Sequence, residues 1–226
     1  MNNKRQGVWD QLRAPDRGRL ASAGRIGLFP AGATICRQGD PATHLYVLIS
    51  GVLKVSTVSP AGQQSLLALR GDGDVVGELA SALNGERTAS MVAVTDVRAV
   101  VIGHDKFEAF LDGCPPAARA YRLMFARRFS ATADSLSAHT TTTGAQRLAR
   151  LLIDLAERYG EADGPGGQLV IALPLSQEEL ASLASASRAT ATRALAAWRG
   201  RGLIQTGTRR ITITDPDALR RLGGAR

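Results

Sequence analysis

Near residue 115 the hydrophobic pattern of the chain changes its period, and this change constrains the fold more than any other feature. Before it, short β-branched runs such as HLYVLISGVLKVSTV and TASMVAVTDVRAVVIG are separated by Gly, Asp and Pro. Strands of about four to eight residues bounded by turn residues predict a small antiparallel β-sandwich or barrel. Beyond it, apolar residues recur every three or four positions, which predicts helices. We therefore expect an α+β chain whose β domain comes first.

A long helix is predicted directly after Pro115-Pro116. Its apolar stripe runs at spacings of four, four, three and four residues through Tyr121, Phe125, Phe129, Thr132 and Leu136. Such a helix either packs back on its own domain or pairs with a partner helix in a dimer. Because the polar Thr132 interrupts the stripe, the pattern alone slightly favours packing back.

Composition excludes several classes of protein. The 226 residues suit two domains, and 44% apolar with 21% charged residues is typical of a soluble globular chain. No apolar stretch is long enough for a bilayer span or a signal peptide, so we expect a cytoplasmic protein without membrane contact. Two cysteines, Cys36 and Cys114, give neither a disulfide framework nor a CxxC zinc motif.

The charge is concentrated at the C-terminal end. The formal net charge is +8, and residues 188–226 alone hold nine arginines against two aspartates. A basic cluster of this kind suits a polyanionic partner such as nucleic acid. The alternative is an ordinary solvated surface in an arginine-rich protein.

The segment LSQEELASLASASRATATRALAAWRGRGLI predicts two short helices joined by a tight turn. Ser176 and Glu179 form a capping box at the start of the first helix, and Ser187 is the expected N-cap of the second. Arginines at the start of a second helix fit a helix-turn-helix, because that end reaches base edges in the major groove. The expected DNA-contacting residues in this motif are Ser176, Gln177, Ser187, Arg188, Thr190 and Arg193. Helix packing without DNA binding is the alternative.

A β-hairpin is predicted after the second helix, in GLIQTGTRRITITD. Its apolar and polar residues alternate around Gly207, as in the wing of a winged helix-turn-helix. Arg209 and Arg210 would contact phosphates there.

The stretch GELASALNGERTAS, residues 77–90, contains two glycines, one arginine and a run of small residues. A phosphate-binding loop needs backbone N–H groups brought close by glycine and a fixed guanidinium, here Gly77, Gly85 and Arg87. The stretch lacks the G-x-x-x-x-G-K pattern of a nucleotide-hydrolysing loop. Its spacing fits a polar turn as well as an anion site.

The pattern GD-x-x-GEL-(x)7-RTA resembles the phosphate-binding cassette of cyclic-nucleotide-binding domains. The order of parts resembles the CRP/Fnr family of bacterial transcription regulators, over about residues 20 to 215. The resemblance implies an N-terminal β-roll (a jelly-roll-like sensor, 1–115), a dimerisation helix (116–141) and a winged helix-turn-helix (142–226). It also implies that Glu78 binds the ribose 2′-hydroxyl, that Arg87 and Thr88 bind the cyclic phosphate, and that Gly77 and Leu79 shape the loop.

Thr132 falls where cAMP-binding members of that family keep a threonine facing the purine. This explains the polar break in the stripe and makes the dimer the first choice. Ala133 follows where a well-known cAMP responder has a serine from the partner subunit, so we expect a smaller contact with adenine. cAMP is the expected ligand, and cGMP is the alternative because a threonine after the arginine, here Thr88, also occurs in cGMP-selective domains. Ala189 stands in place of a glutamate that is usual in the recognition helix, which relaxes the expected half-site at one position. Val76 replaces a usual phenylalanine.

The resemblance therefore implies a homodimeric regulator that binds a pseudo-palindromic duplex under cyclic-nucleotide control, with RNA polymerase as a further partner. One alternative is a DNA-binding regulator whose sensor is vestigial or differently liganded. Another is a nucleotide-gated module that binds RNA or a membrane. Neither a metal, an iron–sulphur cluster nor a haem is expected, and His44, His104 and His139 are interpreted as structural. No arrangement typical of an enzyme is visible.

Overall fold

The computed structural model describes residues 7–82, 85–163 and 167–224 of the chain. They divide into two compact units, the first ending at Ala131 and the second beginning at Thr132. Among the described residues, no helix has the length and apolar character needed to cross a bilayer.

The first unit is a β-roll of two four-stranded antiparallel sheets, with helices on one side. One sheet has the order β1-β8-β3-β6 and the other the order β2-β7-β4-β5. The elements are α1 (Val8–Gln11), α2 (Ala14–Ala23), β1 (Arg25–Phe29), β2 (Thr34–Cys36), β3 (His44–Ser50), β4 (Leu53–Val58), β5 (Gln64–Arg70), β6 (Val75–Val76), α3 (Leu79–Ala82), β7 (Ser90–Ala93), β8 (Val97–Gly103), α4 (His104–Asp112) and α5 (Pro115–Thr141).

The two faces of the first sheet build two separate cores. In β3, Tyr46 and Leu48 pack between the sheets, whereas Leu45 and Val47 pack against the helices. This follows from the alternation of side chains along a strand, and it explains why β3 reads as a continuous apolar run. Val76, the replacement for phenylalanine, is buried in the core between the sheets.

The long helix α5 has the predicted position, and its stripe divides into two parts. Tyr121 and Phe125 pack against the core of the first unit, with their rings edge to face at 5.0 Å. Phe129 and Leu136 are 79% and 67% exposed. The beginning of the stripe therefore packs back on its own domain, and Phe129 and Leu136 in its later part stay exposed.

The second unit contains a bundle of short helices and a four-stranded sheet of order β11-β12-β10-β9. Besides the end of α5, its elements are α6 (Gly144–Tyr159), β9 (Glu161–Asp163), β10 (Gln168–Ile171), α7 (Gln177–Leu183), α8 (Arg188–Gly200), β11 (Ile204–Gly207), β12 (Arg210–Ile213) and α9 (Pro216–Leu222). Helix α6 packs against α7, α8 and α9 through a buried face that includes Leu148, Leu152 and Leu155.

Several local predictions are confirmed in this unit. Ser176 and Glu179 form the capping box of α7, and the Ser187 side chain caps α8 by accepting from the Thr190 backbone N–H. The segment EADGPGGQ, residues 161–168, has the composition of a loop, which predicts no strand, and this prediction is partly wrong because β9 pairs with β10 there. Composition could not show this, since the pairing depends on a partner strand and not on local propensity.

Candidate functional site: an anion cradle and a helix-turn-helix surface

The cassette after β6 places Arg87 in a buried position with unused hydrogen-bonding capacity. Arg87 is 3% exposed, and its Nη1 donates to the Gly77 carbonyl at 3.2 Å. Its Nε and Nη2 are buried and have no hydrogen-bond partner among the described residues. Buried donors are nearly always paired, because an unpaired one costs about 1–3 kcal/mol. The two unpaired N–H donors of this buried guanidinium are therefore suited to bind an oxyanion ligand.

Gly77 is required by the geometry around Arg87. It has φ = +83°, and a Cβ at this position would lie 2.4 Å from Arg87 Nη1. Both the backbone conformation and the close approach favour glycine over any other residue. The Arg87 guanidinium also lies 5.3 Å above the Tyr46 ring, so an aromatic face of β3 supports its other side.

Glu78 is held by a side chain from the long helix that the sequence analysis did not identify. Arg128 Nη1 lies 2.7 Å from Glu78 Oε1, and Arg128 Nη2 lies 3.0 Å from Asp74 Oδ1 and 2.8 Å from the Val75 carbonyl oxygen. One guanidinium thus connects α5 to both ends of β6. We call these three residues, Asp74, Glu78 and Arg128, the ion cluster.

Burial raises the pKa of the Glu78 carboxyl above its usual value, and the nearby positive charge of Arg128 lowers it in part. Glu78 is 7% exposed, so its charge depends on this compensation. A carboxylate with one oxygen bound by a guanidinium keeps lone pairs that can accept from a hydroxyl group.

The other predicted cassette residues lie in different environments. Thr88 is exposed beside Arg87, and Leu79 begins α3 with 46% of its surface exposed. Thr132 is exposed on α5, at the start of the second unit. Arg87 contacts Gly77, which precedes Glu78 in the same loop. The ligand contacts of all six residues stay predictions: Gly77, Glu78, Leu79, Arg87, Thr88 and Thr132.

The helix-turn-helix presents its predicted polar residues on an exposed surface. Arg188 and Arg193 are exposed on α8, and so are Ser176 and Gln177 at the start of α7. Ser187 and Thr190 share the cap of α8, with their hydroxyl oxygens 2.9 Å apart. Beneath this surface Ala191, Ala194, Leu195 and Trp198 are buried, as the period of the helix requires.

The wing is the predicted hairpin, and its turn consists of residues 208 and 209. Gly207 pairs with Arg210 at the end of the ladder, and Arg209 carries φ = +57° in the two-residue turn. The positive φ therefore falls on Arg209 and not on Gly207. Arg209 and Arg210 are both exposed on this hairpin.

The histidines and cysteines have identifiable surroundings. His44 contacts the Tyr46 hydroxyl at 2.8 Å, and Cys36 and Cys114 are buried free thiols. Within the described residues, no group of three or more His, Cys, Asp or Glu side chains is placed to hold a metal ion.

Arg128 and Asp74 are the site residues that sequence reasoning missed. Asp74 stood in the quoted GD pair without a role. Arg128 lies seven residues after Tyr121 and four before Thr132, so helical spacing places it on the same face as both. That spacing, together with the single acid in GEL, could have predicted Arg128 as a partner of Glu78.

Comparisons with known proteins agree with this architecture. The family model described as "Cyclic nucleotide-binding domain" matches residues 27–114, and the one described as "Crp-like helix-turn-helix domain" matches residues 146–222. The CRP-like cAMP-activated global transcriptional regulator of Mycobacterium tuberculosis is 35% identical over 193 residues, covering 85% of each chain. The cyclic AMP receptor protein of Thermus thermophilus is 30% identical and covers 83% of each chain.

A solved structure shows the same fold. The c-di-GMP-responsive global regulator CLP of Xanthomonas campestris superposes with a TM-score of 0.75 at 23% identity, covering 89% of this chain and 99% of that chain. The two domains and their order define a DNA-binding transcription regulator with a cyclic-nucleotide-binding domain. The chain belongs to the CRP/FNR family, which confirms the predicted fold class and family.

Proposed function

We propose that this regulator is a cytoplasmic homodimer whose DNA binding is controlled by cAMP in the β-roll. The observation that carries the proposal is the Arg87 guanidinium, which is 3% exposed and has two buried donors without partners among the described residues. A singly charged cyclic phosphate supplies the acceptor oxygens that these donors lack. Relatives named for cAMP support the same ligand.

Glu78 adds selectivity for a ribose. Its carboxylate can accept from the 2′-hydroxyl, and the charge of Arg128 lowers the Glu78 pKa against the larger, opposite effect of burial. A deoxyribose ligand would leave this acceptor without its hydroxyl partner, which costs binding energy.

The exposed part of α5 supports the dimer. Phe129 and Leu136 are seven residues apart, and such exposure is unusual for large apolar side chains at helical spacing. Burial of each on a partner helix would stabilise the dimer by about 1.5–3 kcal/mol per side chain. The boundaries of this dimerisation helix, 116–141, remain a prediction.

Control by the ligand requires that cAMP bind one dimer arrangement more tightly than the other. Arg128 belongs to α5 and contacts Glu78 directly, so a ligand that engages Glu78 acts on the dimerisation helix through one side chain. Two-fold symmetry then predicts two half-sites about one helical turn apart, on the order of 34 Å. RNA polymerase is the expected further partner at a promoter.

Calorimetric titration with cAMP, cGMP and c-di-GMP tests the ligand. We expect saturable heat with cAMP and at least a hundredfold loss of affinity in Arg87→Ala, while Arg98→Ala, an exposed arginine on β8, binds like wild type. No heat with cAMP or cGMP at millimolar concentration would overturn the cAMP proposal and leave a regulator with a different or vestigial sensor. Heat with c-di-GMP alone would reassign the ligand.

A gel shift on duplex DNA with excess single-stranded RNA as competitor tests DNA binding by the helix-turn-helix. We expect the duplex complex to persist, and equal competition by RNA would favour a nucleotide-gated RNA-binding module instead. Analytical ultracentrifugation of Phe129→Glu tests the dimer, with a monomer as the expected result.

A further inference from the structure

A side-chain contact joins the two helices of the helix-turn-helix on its exposed side. The Thr192 hydroxyl donates to Gln177 Oε1 at 3.0 Å, across 15 positions of sequence. Gln177 is the first residue of α7, and Thr192 lies in the second turn of α8. Both residues are exposed, so packing of the helix pair does not require this hydrogen bond.

The contact determines what Gln177 can offer to a ligand. A glutamine amide carries one acceptor oxygen and one NH₂ group with two donors. With its Oε1 engaged by Thr192, the Gln177 side chain presents its Nε2 donors to the surface. A group presented in this way is complementary to an acceptor such as a phosphate oxygen.

The position of Gln177 favours backbone contact over base contact. In a helix-turn-helix the first helix crosses the DNA backbone, whereas the N-terminal residues of the second helix reach base edges. Gln177 belongs to the first helix, and Arg188 and Arg193 belong to the second. A donor on the first helix therefore meets phosphates.

We propose that Thr192 is a positioning residue for DNA binding, which fixes the Gln177 amide so that its NH₂ group donates to a backbone phosphate. The inference rests on the DNA-binding function of the family and concerns a residue that itself need not touch DNA. Without the hydroxyl, the Gln177 side chain would sample several rotamers and lose part of its contact.

A double-mutant cycle tests the inference with the full-length chain and saturating cAMP. The probes are a duplex selected by the wild-type protein from a randomised pool and a scrambled duplex of equal length. Thr192→Val removes the donor with little change in shape, and Thr192→Ser keeps the hydroxyl. Gln177→Ala removes the residue on which Thr192 acts.

We expect Thr192→Val to weaken binding about fivefold on both duplexes, the scale of one neutral hydrogen bond. Thr192→Ser should bind within about twofold of wild type. In the Gln177→Ala background, Thr192→Val should have no further effect, because the two residues act as one unit. The loss should not depend on sequence, because phosphate contacts carry none.

Three results would overturn the inference. An undiminished effect of Thr192→Val in the Gln177→Ala background would show that Thr192 acts elsewhere. An effect confined to the selected duplex would show direct base contact, and an unchanged affinity would show no role. A melting temperature measured for every variant separates lost binding from lost folding, and Gln177→Ala must show the fivefold loss even if Thr192→Val unfolds. If the wild-type protein enriches no duplex from the randomised pool, DNA binding itself is refuted.

Discussion

The cassette and the helix-turn-helix both use arginine, but they keep its charge in opposite environments. Arg87 and Glu78 are 3% and 7% exposed, and the ion cluster fixes the carboxylate before any ligand arrives. Arg188 and Arg193 lie in solvent on α8. The protein thus removes one set of charges from water during folding and leaves the other hydrated until DNA binds.

This difference determines what each site costs the fold. A buried charge whose partner is removed destabilises a protein by several kcal/mol, whereas an exposed charge contributes little. The cassette should therefore couple folding to ligand binding, and the DNA-binding surface should not. Four variants or conditions test this comparison.

The largest expected effect is that of Arg128→Ala on stability. The substitution leaves the buried Glu78 carboxylate without its 2.7 Å ion pair and should lower the free energy of unfolding of the first unit by about 3 kcal/mol. Urea unfolding at pH 7 measures it. In a Trp198→Phe background, Trp9 fluorescence reports the first unit alone, since the chain has two tryptophans.

Arg127→Ala is the matched control, because the neighbouring arginine is exposed on the same helix. It should change the stability by less than about 0.5 kcal/mol. Adding Glu78→Gln to Arg128→Ala should restore part of the loss, since a neutral amide needs no counter-charge. Equal stability of Arg127→Ala and Arg128→Ala would contradict the structural role of the ion cluster.

Arg188→Ala should show the opposite behaviour. We expect DNA affinity to fall about ten- to a hundredfold, the value of one or two lost base contacts, with unchanged urea unfolding. Arg201→Ala, an exposed arginine at the other end of α8, is the control and should bind nearly as well as wild type. Fluorescence anisotropy on the selected duplex measures both. A destabilised Arg188→Ala protein would contradict the expectation that the exposed arginines of the DNA-binding surface contribute little to stability.

Sequence reasoning succeeded for features encoded by neighbours in the chain. The capping box at Ser176, the long helix and the hairpin follow from residue types at fixed short spacings, and the structure contains them. The spacing of the cassette did not distinguish a polar turn from an anion site, and the roles of Glu78 and Arg87 came from the family resemblance and stay predictions.

Features that depend on contacts distant in sequence could not be predicted in this way. Arg128 reaches Glu78 across 50 positions, and the choice between Arg127 and Arg128 depends on the rotation of α5 against the roll. The division of the α5 stripe into a packed and an exposed part depends on how far the roll extends along the helix. The pairing of β9 with β10 depends on strand contacts and not on composition.

Arg87→Met should weaken ligand binding and leave the stability of the nucleotide-free protein nearly unchanged. Without nucleotide, we expect the free energy of unfolding to stay within about 1 kcal/mol of wild type or to rise. The reason is that two unpaired buried donors disappear, while the bond to the Gly77 carbonyl and the Tyr46 contact are lost. A loss as large as that of Arg128→Ala would mean that Arg87 is a structural cation and not a ligand-binding one.

The smallest expected effect is a pH dependence in the first unit. Burial lowers the pKa of His44 and His104 below the ordinary value of 6.5, and the charge of Arg87 lowers both further. The unfolded chain therefore takes up protons before the folded one does. As the pH falls through about 6.5, these histidines should therefore lower the free energy of unfolding. This loss of stability levels off below their folded pKa values.

Glu78 acts in the opposite sense, because its raised pKa stabilises the folded state as the pH falls through that pKa. The difference between wild type and a His44→Gln/His104→Gln variant, measured by urea unfolding from pH 8 to pH 5.5, isolates the histidines. We expect wild type to lose stability relative to the variant on acidification, and to lose less in an Arg87→Met background. A difference independent of pH would mean that both imidazoles titrate as they do in solvent. The charge of Arg87 would then have no measurable effect on the pKa of either histidine.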